Sequence, residues 1–268
     1  MKITRINTIH EMLKKEKCLS INYLCNTFNV SKNTIRRDIN ELENQGIIKK
    51  VYGGIVLEES HSTSPEPFQL RKSKNFQQKQ QVARMAASFV EDNDVIFIDS
   101  GTTTMHMLPY LLNTKNLTII TASVNVVNAA AIYTGTKEFN LITTGGTLYY
   151  PSMAFVGPSV LKCLDNYNIS KIFLASTGIS LENGATNASI SENEIKRKLM
   201  TKSGEKFLLI DSSKLDVSSL VTFSPLQNFN YIFLDTLPPE KYIQYCKEQG
   251  VHLLTPQIAS AETSAHAE

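Results

Sequence analysis

Residues 31–54 constrain the fold of this chain more than any other stretch; their sequence is SKNTIRRDINELENQGIIKKVYGG. Ser31 is a residue type that starts helices, because its hydroxyl accepts a hydrogen bond from a backbone N–H of the first turn. Ile35, Ile39 and Leu42 then recur at spacings of four and three, which places them on one side of a helix. The pattern predicts a helix with an apolar face against a core and an exposed polar face.

The exposed face of this predicted helix offers guanidinium, amide and hydroxyl groups, which reach base edges and phosphates in the major groove of DNA. The candidate DNA-binding residues on it are Ser31, Asn33, Thr34, Arg36, Arg37 and Asn40. Two short strands over 47–51 and 55–57 are expected to follow as a small wing. Lys49 and Lys50, in or beside this wing, are candidates for phosphate contacts.

Two more helices complete the predicted N-terminal unit. Residues 3–16 are amphipathic, and Ser20 is placed to cap a second, short helix. Asn29 tolerates the left-handed backbone that the turn before the third helix often needs. Three helices followed by a two-stranded wing form a winged helix-turn-helix, and we assign residues 1–57 to such a DNA-binding domain.

The charge of the chain is distributed unevenly. Residues 1–57 hold 10 Lys or Arg against 5 Asp or Glu, a net charge of +5. Residues 58–268 hold 17 against 20, a net charge of −3, so the whole chain carries +2. A basic excess confined to the N-terminal fifth is expected of a domain that binds a polyanion.

The composition of the whole chain of 268 residues, with 42% hydrophobic and 19% charged residues, is typical of a globular cytoplasmic protein. No apolar run approaches the roughly 20 residues needed to span a bilayer, and the first residues lack the apolar core of a signal peptide. The four cysteines form no C-x-x-C pair, and the five histidines are dispersed. We therefore expect no membrane contact, no metal site and no cofactor.

The rest of the chain divides at a polar segment. Residues 58–67, EESHSTSPEP, contain two prolines and no periodicity, and we place a linker at 58–74. From 75 to 256 apolar strands alternate with helices, which predicts an α/β domain around a mostly parallel sheet covered on both faces. Its first helix, over 75–92, either docks on this domain or takes part in a dimer contact. Residues 257–268 are short of apolar side chains and are expected to be disordered.

Three strand ends in this domain carry candidate ligand-binding residues, because parallel sheets bind ligands beyond the carboxyl ends of their strands. Asp99-Ser100-Gly101-Thr102-Thr103-Thr104 offers hydroxyls and helix N–H groups to a phosphate. Thr144-Gly145-Gly146-Thr147 offers backbone amides, and Lys214 in Asp211-Ser212-Ser213-Lys214 can neutralise an anion. Taken alone, each motif also suits an ordinary helix cap, a tight turn or a surface lysine.

The segment VSKNTIRRDINELENQGIIKKVYGGIVL resembles the N-terminal signature of the DeoR family of bacterial transcriptional regulators. The resemblance continues through DSGTTT, TGG, FVGP, ASTGIS, NEIKRKL and DSSK. It implies a C-terminal domain similar in fold to ribose-5-phosphate isomerase that senses a phosphorylated sugar or related metabolite. The effector-binding residues that it implies are Asp99, Ser100, Gly101, Thr102, Thr103, Gly145, Gly146, Gly178 and Lys214. Ala122 stands where the family often has Asn.

The expected function is therefore that of a DNA-binding regulator without enzymatic activity, a repressor of a sugar or polyol operon. Its expected partners are double-stranded operator DNA, a phosphorylated sugar and further copies of the chain in a homodimer or homotetramer, since one short helix reads few base pairs. One alternative is a sugar-phosphate isomerase-like enzyme that uses Asp99, Asp211 and Lys214 as acid–base groups; turnover of sugar phosphates would identify it. The other is an architectural protein, which would bind random and operator DNA equally.

Overall fold

The computed structural model describes residues 2–16, 18–44, 47–51, 53–57, 68–133, 135 and 139–258. The chain consists of two compact units, residues 1–63 and residues 64–268. The N-terminal part of the predicted linker, 58–67, and residues 259–268 of the predicted tail lie outside the described residues. Each unit buries its own set of apolar side chains.

The first unit is a winged helix-turn-helix, as predicted. Its elements are α1 (Lys2–Glu16), β1 (Cys18–Ser20), α2 (Ile21–Phe28), α3 (Lys32–Asn44), β2 (Ile48–Val51) and β3 (Gly54–Leu57). β2 and β3 pair antiparallel as the wing. β1, which the sequence pattern did not predict, pairs with the other edge of β3 and so ties the wing to the segment between α1 and α2.

The ends of α2 form as the sequence predicts. The Ser20 hydroxyl accepts a hydrogen bond from the N–H of Tyr23 at 3.1 Å. Asn29 ends the helix in the left-handed conformation, with φ 49° and ψ 51°, and donates its N–H to Cys25 O. The fully buried side chains of this unit include Ile9, Leu13, Leu24, Ile35, Ile39, Leu42 and Ile55. The apolar stripe predicted for α3 therefore lies in the core.

The second unit is built on a seven-stranded sheet. The strands of this unit are β4 (Val95–Ile98), β5 (Thr118–Thr121), β6 (Asn140–Thr143), β7 (Thr147–Tyr149), β8 (Ala154–Val156), β9 (Lys171–Leu174), β10 (Gly178–Ser180), β11 (Gly184–Asn187), β12 (Glu205–Leu209), β13 (Val221–Ser224), β14 (Tyr231–Phe233) and β15 (His252–Leu254). The large sheet has the order β15-β14-β12-β9-β4-β5-β6, and each neighbouring pair runs parallel. This is the mostly parallel sheet that the alternation of strands and helices predicts.

Helices cover both faces of this sheet. They are α4 (Phe68–Ser73), α5 (Phe76–Ala87), α6 (Val124–Ala131), α7 (Pro158–Asp165), α8 (Ile190–Met200) and α9 (Glu240–Gln249). Side chains alternate along the central strand β4: Ile96 and Ile98 join the apolar cluster that contains α5 and α6, whereas Phe97 joins the cluster that contains α7, α8 and α9. The buried face of α5, with Val82 and Ala86 fully buried, therefore docks on its own unit.

Three features of the second unit differ from the sequence prediction. The segment after β4, which the alternation of strands and helices predicts to be an α-helix, forms a 3₁₀ helix over Thr104–Tyr110. Pro109 lies inside it, and proline lacks an N–H and restricts the residue before it. Phe68–Ser73, placed in the predicted linker, is a helix whose Phe68 is buried and donates its N–H to Pro151 O at 3.1 Å. The small antiparallel sheets β7-β8 and β10-β11-β13 were not predicted.

Candidate functional site

The polar face of α3 is exposed, as its pattern predicts. The predicted contact residues that it leaves exposed are Ser31, Asn33, Arg36, Arg37 and Asn40. Thr34 is half-buried, and its hydroxyl lies 3.0 Å from the hydroxyl of Ser31, which also accepts the Thr34 N–H at 3.3 Å. Ser31 thus caps the helix, and the arginines and asparagines beyond it form a surface that can enter a DNA groove.

A buried ion pair, missed by the sequence analysis, fixes α3 against α1. Arg5 donates from Nε to Asp38 Oδ2 at 2.5 Å and from Nη2 to Asp38 Oδ1 at 3.2 Å. Asp38 is only 1% exposed, and its hydrogen bond raises the pKa of Arg5 above the ordinary value. An acidic residue inside the apolar stripe, three residues after Ile35 and four before Leu42, is the signal that could have revealed this pair.

The wing presents two exposed lysines. Lys49 lies opposite Val56 in the β2–β3 ladder, and Lys50 lies opposite Ile55. Successive residues of a strand point to opposite sides, so the two ammonium groups leave the wing in different directions. Lys50 forms an ion pair with Glu43 near the end of α3. The wing therefore presents the Lys49 ammonium on one side and, on the other, the Lys50 ammonium paired with Glu43.

The second unit has a polar cleft beyond the carboxyl ends of β4, β9 and β12, and the cleft has two lobes. The first lobe is lined by Asp99, Ser100, Asn187, Ala188, Ser189, Glu192 and Lys196. The second lobe is lined by Lys74, Asn75, Lys79, Thr102, Thr103, Leu209, Ile210, Asp211 and Ser213. Residues lining both lobes are Arg71, Gly101, Ala175, Ser176, Thr177 and Lys214. The shared residues make the two lobes one continuous site.

A buried ion pair closes the first lobe. Asp99 and Lys196 are 4% and 3% exposed, and Lys196 Nζ contacts Asp99 Oδ2. The same ammonium donates to Ala175 O at 2.7 Å, and Asp99 Oδ2 accepts the Ala175 N–H at 3.0 Å. The two charges neutralise each other and hold the end of β9 against the end of β4.

Gly101 permits this close approach of two strand ends. A Cβ at Gly101 would lie 2.3 Å from Ala175 Cβ, much closer than two carbon atoms can approach. Thr104 turns its hydroxyl back to Asp99 O at 2.8 Å and to Gly101 O at 3.1 Å. The hydroxyl of Thr104 therefore stabilises the loop, and of the three consecutive threonines in this loop, Thr102 and Thr103 line the cleft.

Six predicted effector-binding residues line the cleft: Asp99, Ser100, Gly101, Thr102, Thr103 and Lys214. Gly145, Gly146 and Gly178 are not among the lining residues in the described part of the chain. A Cβ at Gly146 would meet Val156 O at 2.8 Å, and one at Gly178 would meet Val217 O at 2.3 Å, so both glycines serve internal packing. Gly145 has a φ of 62° with open space around it and serves the turn after β6.

The cleft also contains charged residues that were not predicted as site residues. They are Arg71, Lys74, Lys79, Glu192 and Lys196. Three of these cations come from α4, α5 and the turn between them, which the sequence placed in a linker and in a helix of unassigned role. Lys196 lies three residues before the buried Leu199, on the inward side of an amphipathic helix. A lysine at such a position indicates a buried charge with a partner, and this signal could have identified Lys196.

Within the described ranges, no group of three or more His, Cys, Asp or Glu side chains is arranged to hold a metal ion. No helix of those same ranges is long and apolar enough to cross a membrane.

A basic winged helix-turn-helix joined to an α/β unit with a polar cleft defines a class of protein that binds DNA and a small molecule. Comparison with known proteins names the family. Residues 5–61 match the DeoR-like helix-turn-helix domain, and residues 74–236 match the DeoR C terminal sensor domain. The chain belongs to the DeoR family of transcriptional regulators, and the resemblance of its motifs is confirmed.

Individual relatives match over nearly their whole length. The HTH-type transcriptional regulator IolR of Bacillus subtilis is 41% identical over 255 residues, covering 94% of this chain and 100% of the relative. The glycerol-3-phosphate regulon repressor of Escherichia coli is 28% identical over 249 residues, covering 93% and 97%. Among solved structures, ribose 5-phosphate isomerase A of Methanocaldococcus jannaschii is 19% identical with a TM-score of 0.39, over 53% of this chain and 55% of that one. The two family models and the two transcriptional regulators together span both units.

Proposed function

We propose that this regulator represses an operon for the use of a sugar or polyol, and that a phosphorylated sugar bound in the cleft switches its DNA affinity. The observation that carries the proposal is the charge of the second lobe. Lys74 and Lys79 line it, Arg71 and Lys214 join it, and Asp211 is the carboxylate among them. A cleft with this excess of cations favours a phosphate or another anion. The name of the glycerol-3-phosphate regulon repressor supports a ligand of this kind.

The first unit supplies the DNA contacts of this proposal. Arg37, Asn33 and Asn40 lie on the exposed face of α3 and are proposed to reach base edges. Arg36 and the wing lysines are proposed to contact phosphates, and Lys50 would exchange Glu43 for a phosphate oxygen. Two copies of the chain would read two half-sites about one helical turn apart or a multiple of it.

The switch requires only a modest coupling between the two ligands. Binding of the sugar phosphate would alter how the two DNA-binding units of an oligomer are disposed. A coupling free energy of about 1–3 kcal/mol, roughly 5- to 150-fold in affinity, is enough to change promoter occupancy.

Asp99 and Asp211, two of the three carboxylates of the cleft, support a regulator in preference to a sugar-phosphate isomerase. Asp99 is paired with Lys196, and Asp211 accepts hydrogen bonds from Asn75 Nδ2 at 2.9 Å and from Ser213. Both carboxylates thus hold the loops together. Incubation of the full chain with ribose 5-phosphate or fructose 6-phosphate is expected to leave both compounds unchanged by NMR; conversion of either would favour the enzyme.

Arg37→Ala tests the DNA-binding face. We expect affinity for the DNA upstream of the gene to fall by about 1–3 kcal/mol, because a base contact of the guanidinium is lost. The measurement is a fluorescence-anisotropy titration of the full chain at fixed salt. Arg84→Ala removes another exposed arginine, from α5 of the second unit, and serves as the matched control. Equal effects of the two substitutions would remove Arg37 from the interface.

A thermal-shift screen tests the cleft. The full chain is heated with a panel of phosphorylated sugars and polyols, and a compound that binds only the folded state raises the unfolding midpoint by mass action. The active compound is then expected to change the anisotropy titration with upstream DNA. A panel with no midpoint shift and no effect on DNA binding would contradict the proposed effector class.

A further inference from the structure

The two lobes of the cleft differ in the charge that they present to a ligand. The second lobe is cationic, as described above. In the first lobe, Asp99 and Lys196 neutralise each other. Glu192 also lines the first lobe, and none of the described residues forms an ion pair with it. Arg71 and Lys214 line both lobes, so the feature that distinguishes the first lobe is the carboxylate of Glu192, which it presents to the part of a ligand that lies there.

The carboxylate of Glu192 is held as a hydrogen-bond acceptor. Glu192 lies in the first turn of α8, where the helix dipole favours a negative charge, and its N–H donates to the Ser189 hydroxyl at 3.3 Å. Its Oε1 accepts a hydrogen bond from Ser100 Oγ at 2.9 Å. A carboxylate has about four acceptor positions, so Glu192 keeps capacity for hydroxyl donors of a ligand.

Ser176 supplies a second, independent observation. Its Oγ is a buried atom without a hydrogen-bond partner among the residues that the structure describes, and Ser176 lines both lobes. A buried hydroxyl without a partner is unfavourable, and in a cleft it indicates a group that a ligand completes. Ser176 stands in the loop after β9, next to Ala175, whose position the Asp99–Lys196 pair fixes.

We propose that Glu192 and Ser176 form a hydroxyl-recognition subsite that determines which anionic metabolite this regulator senses. This inference rests on the proposed function. The anionic group of the ligand occupies the cationic second lobe, and hydroxyls on carbons remote from that group lie in the first lobe. One hydroxyl donates to Glu192 beside or in place of Ser100, and another bonds to Ser176 Oγ. A small anion without such hydroxyls fills the second lobe alone.

The test compares ligands with and without hydroxyls in variants of the full chain. Isothermal titration calorimetry is run with inorganic phosphate, glycerol 3-phosphate, ribose 5-phosphate, fructose 6-phosphate and glucitol 6-phosphate. The variants are Glu192→Gln, Ser176→Ala and, as the control, Glu194→Gln, an exposed residue of the same helix. The quantity of interest is the affinity of the best hydroxylated phosphate divided by that of inorganic phosphate.

This ratio is expected to fall about tenfold or more in Glu192→Gln and several-fold in Ser176→Ala, because a charge-assisted and a neutral hydrogen bond are lost. Inorganic phosphate should bind Glu192→Gln as tightly as wild type or more tightly, since a nearby negative charge is removed. A mere electrostatic effect would strengthen all ligands, and misfolding would weaken all of them. Glu194→Gln should match wild type.

Three results would overturn the inference. The ratio could stay unchanged in both variants, Glu194→Gln could lower it as much as Glu192→Gln, or the wild type could bind every hydroxylated phosphate no more tightly than inorganic phosphate. In each of these cases the cationic second lobe of the proposed function stands. Failure of the wild type to bind any of the five compounds would instead contradict the proposed function itself, and the subsite with it.

Discussion

Lys196 shows how a single buried charge organises the second unit. Lys196→Met would leave Asp99 buried without its cation, and we expect the free energy of unfolding to fall by about 3–5 kcal/mol. The measurement is denaturant unfolding of the full chain. Lys198→Met on the same helix breaks a pair with Asp165 whose side chains are 33% and 56% exposed, and should cost less than about 1 kcal/mol. Similar losses of unfolding free energy in Lys196→Met and Lys198→Met would mean that burial of the Asp99–Lys196 pair does not determine the cost of breaking it.

His106 gives the second unit a dependence of stability on pH. Burial lowers the pKa of His106 to about 4, and Lys72 and Lys79 act in the same direction. The unfolded chain, with an ordinary histidine pKa near 6.5, therefore binds more protons at intermediate pH. The stability that the neutral ring contributes is fully present above pH ~6.5 and is lost as the pH falls through about 4.

His106→Gln removes this titration. The variant should lose less stability than wild type between pH 6.5 and pH 4, measured as the free energy of unfolding in a denaturant series at several pH values. The ring of His106 meets Phe76 edge-on at 5.1 Å, so some loss of stability at neutral pH is also expected. Parallel pH profiles for variant and wild type would show that another group carries the dependence.

The cleft residues that the sequence could predict are those that belong to a local motif. Ser100, Thr102 and Thr103 follow a buried strand directly, and a strand end in a parallel sheet is a known place for ligands. Glu192 could not be found in this way, because α8 follows β11 of a small sheet that the sequence did not reveal. Arg71 was assigned to a linker, since six helical residues beside prolines carry too little periodicity to identify a helix.

At the scale of elements, the junction of β4 with β9 determines the geometry of the cleft. Gly101→Ala places a Cβ 2.3 Å from Ala175 Cβ, so the two strand ends must move apart. We expect a loss of about 1–3 kcal/mol in stability and weaker binding of the compound found in the thermal-shift screen. The double variant Gly101→Ala with Ala175→Gly removes the methyl group that the new Cβ would meet. It should recover much of the lost stability and much of the lost binding. If the double variant is as unstable and binds as weakly as Gly101→Ala, the contact between positions 101 and 175 is not the cause of either loss.

Whole elements were predicted well where their determinants are close in the chain. The caps at Ser20 and Asn29 and the stripe through α3 are separated by few residues, and the first unit follows them closely. The sheet β10-β11-β13 depends instead on pairing between distant segments, with a shift of register between Ala185 and Thr186. Such pairings are fixed by the tertiary structure, and short strands carry little sign of them.

At the scale of the whole molecule, the two units differ in net charge: residues 1–63 hold 10 Lys or Arg against 7 Asp or Glu, a net charge of +3, and residues 64–268 hold 17 against 18, a net charge of −1. In the second unit, Arg71, Lys74, Lys79 and Lys214 lie among polar side chains in the cleft. On the function proposed above, a metabolite anion and a DNA duplex bind different parts of the chain. Any influence of one on the other must then pass through a conformational equilibrium rather than through direct competition.

Thermodynamic linkage makes that equilibrium measurable from either side. If the effector lowers affinity for upstream DNA by a given factor, saturating DNA must lower affinity for the effector by the same factor, expected at roughly 5- to 150-fold. The two factors come from anisotropy titrations with and without the compound from the thermal-shift screen, and from calorimetry of that compound with and without DNA. Direct competition at the DNA-binding face would instead make the apparent DNA affinity fall without limit as the compound is raised. If the effector binds a separate site, the apparent DNA affinity must instead reach a plateau as the compound is raised, and the plateau must persist in Arg37→Ala. The factor by which the effector lowers DNA affinity must then equal the factor by which DNA lowers effector affinity.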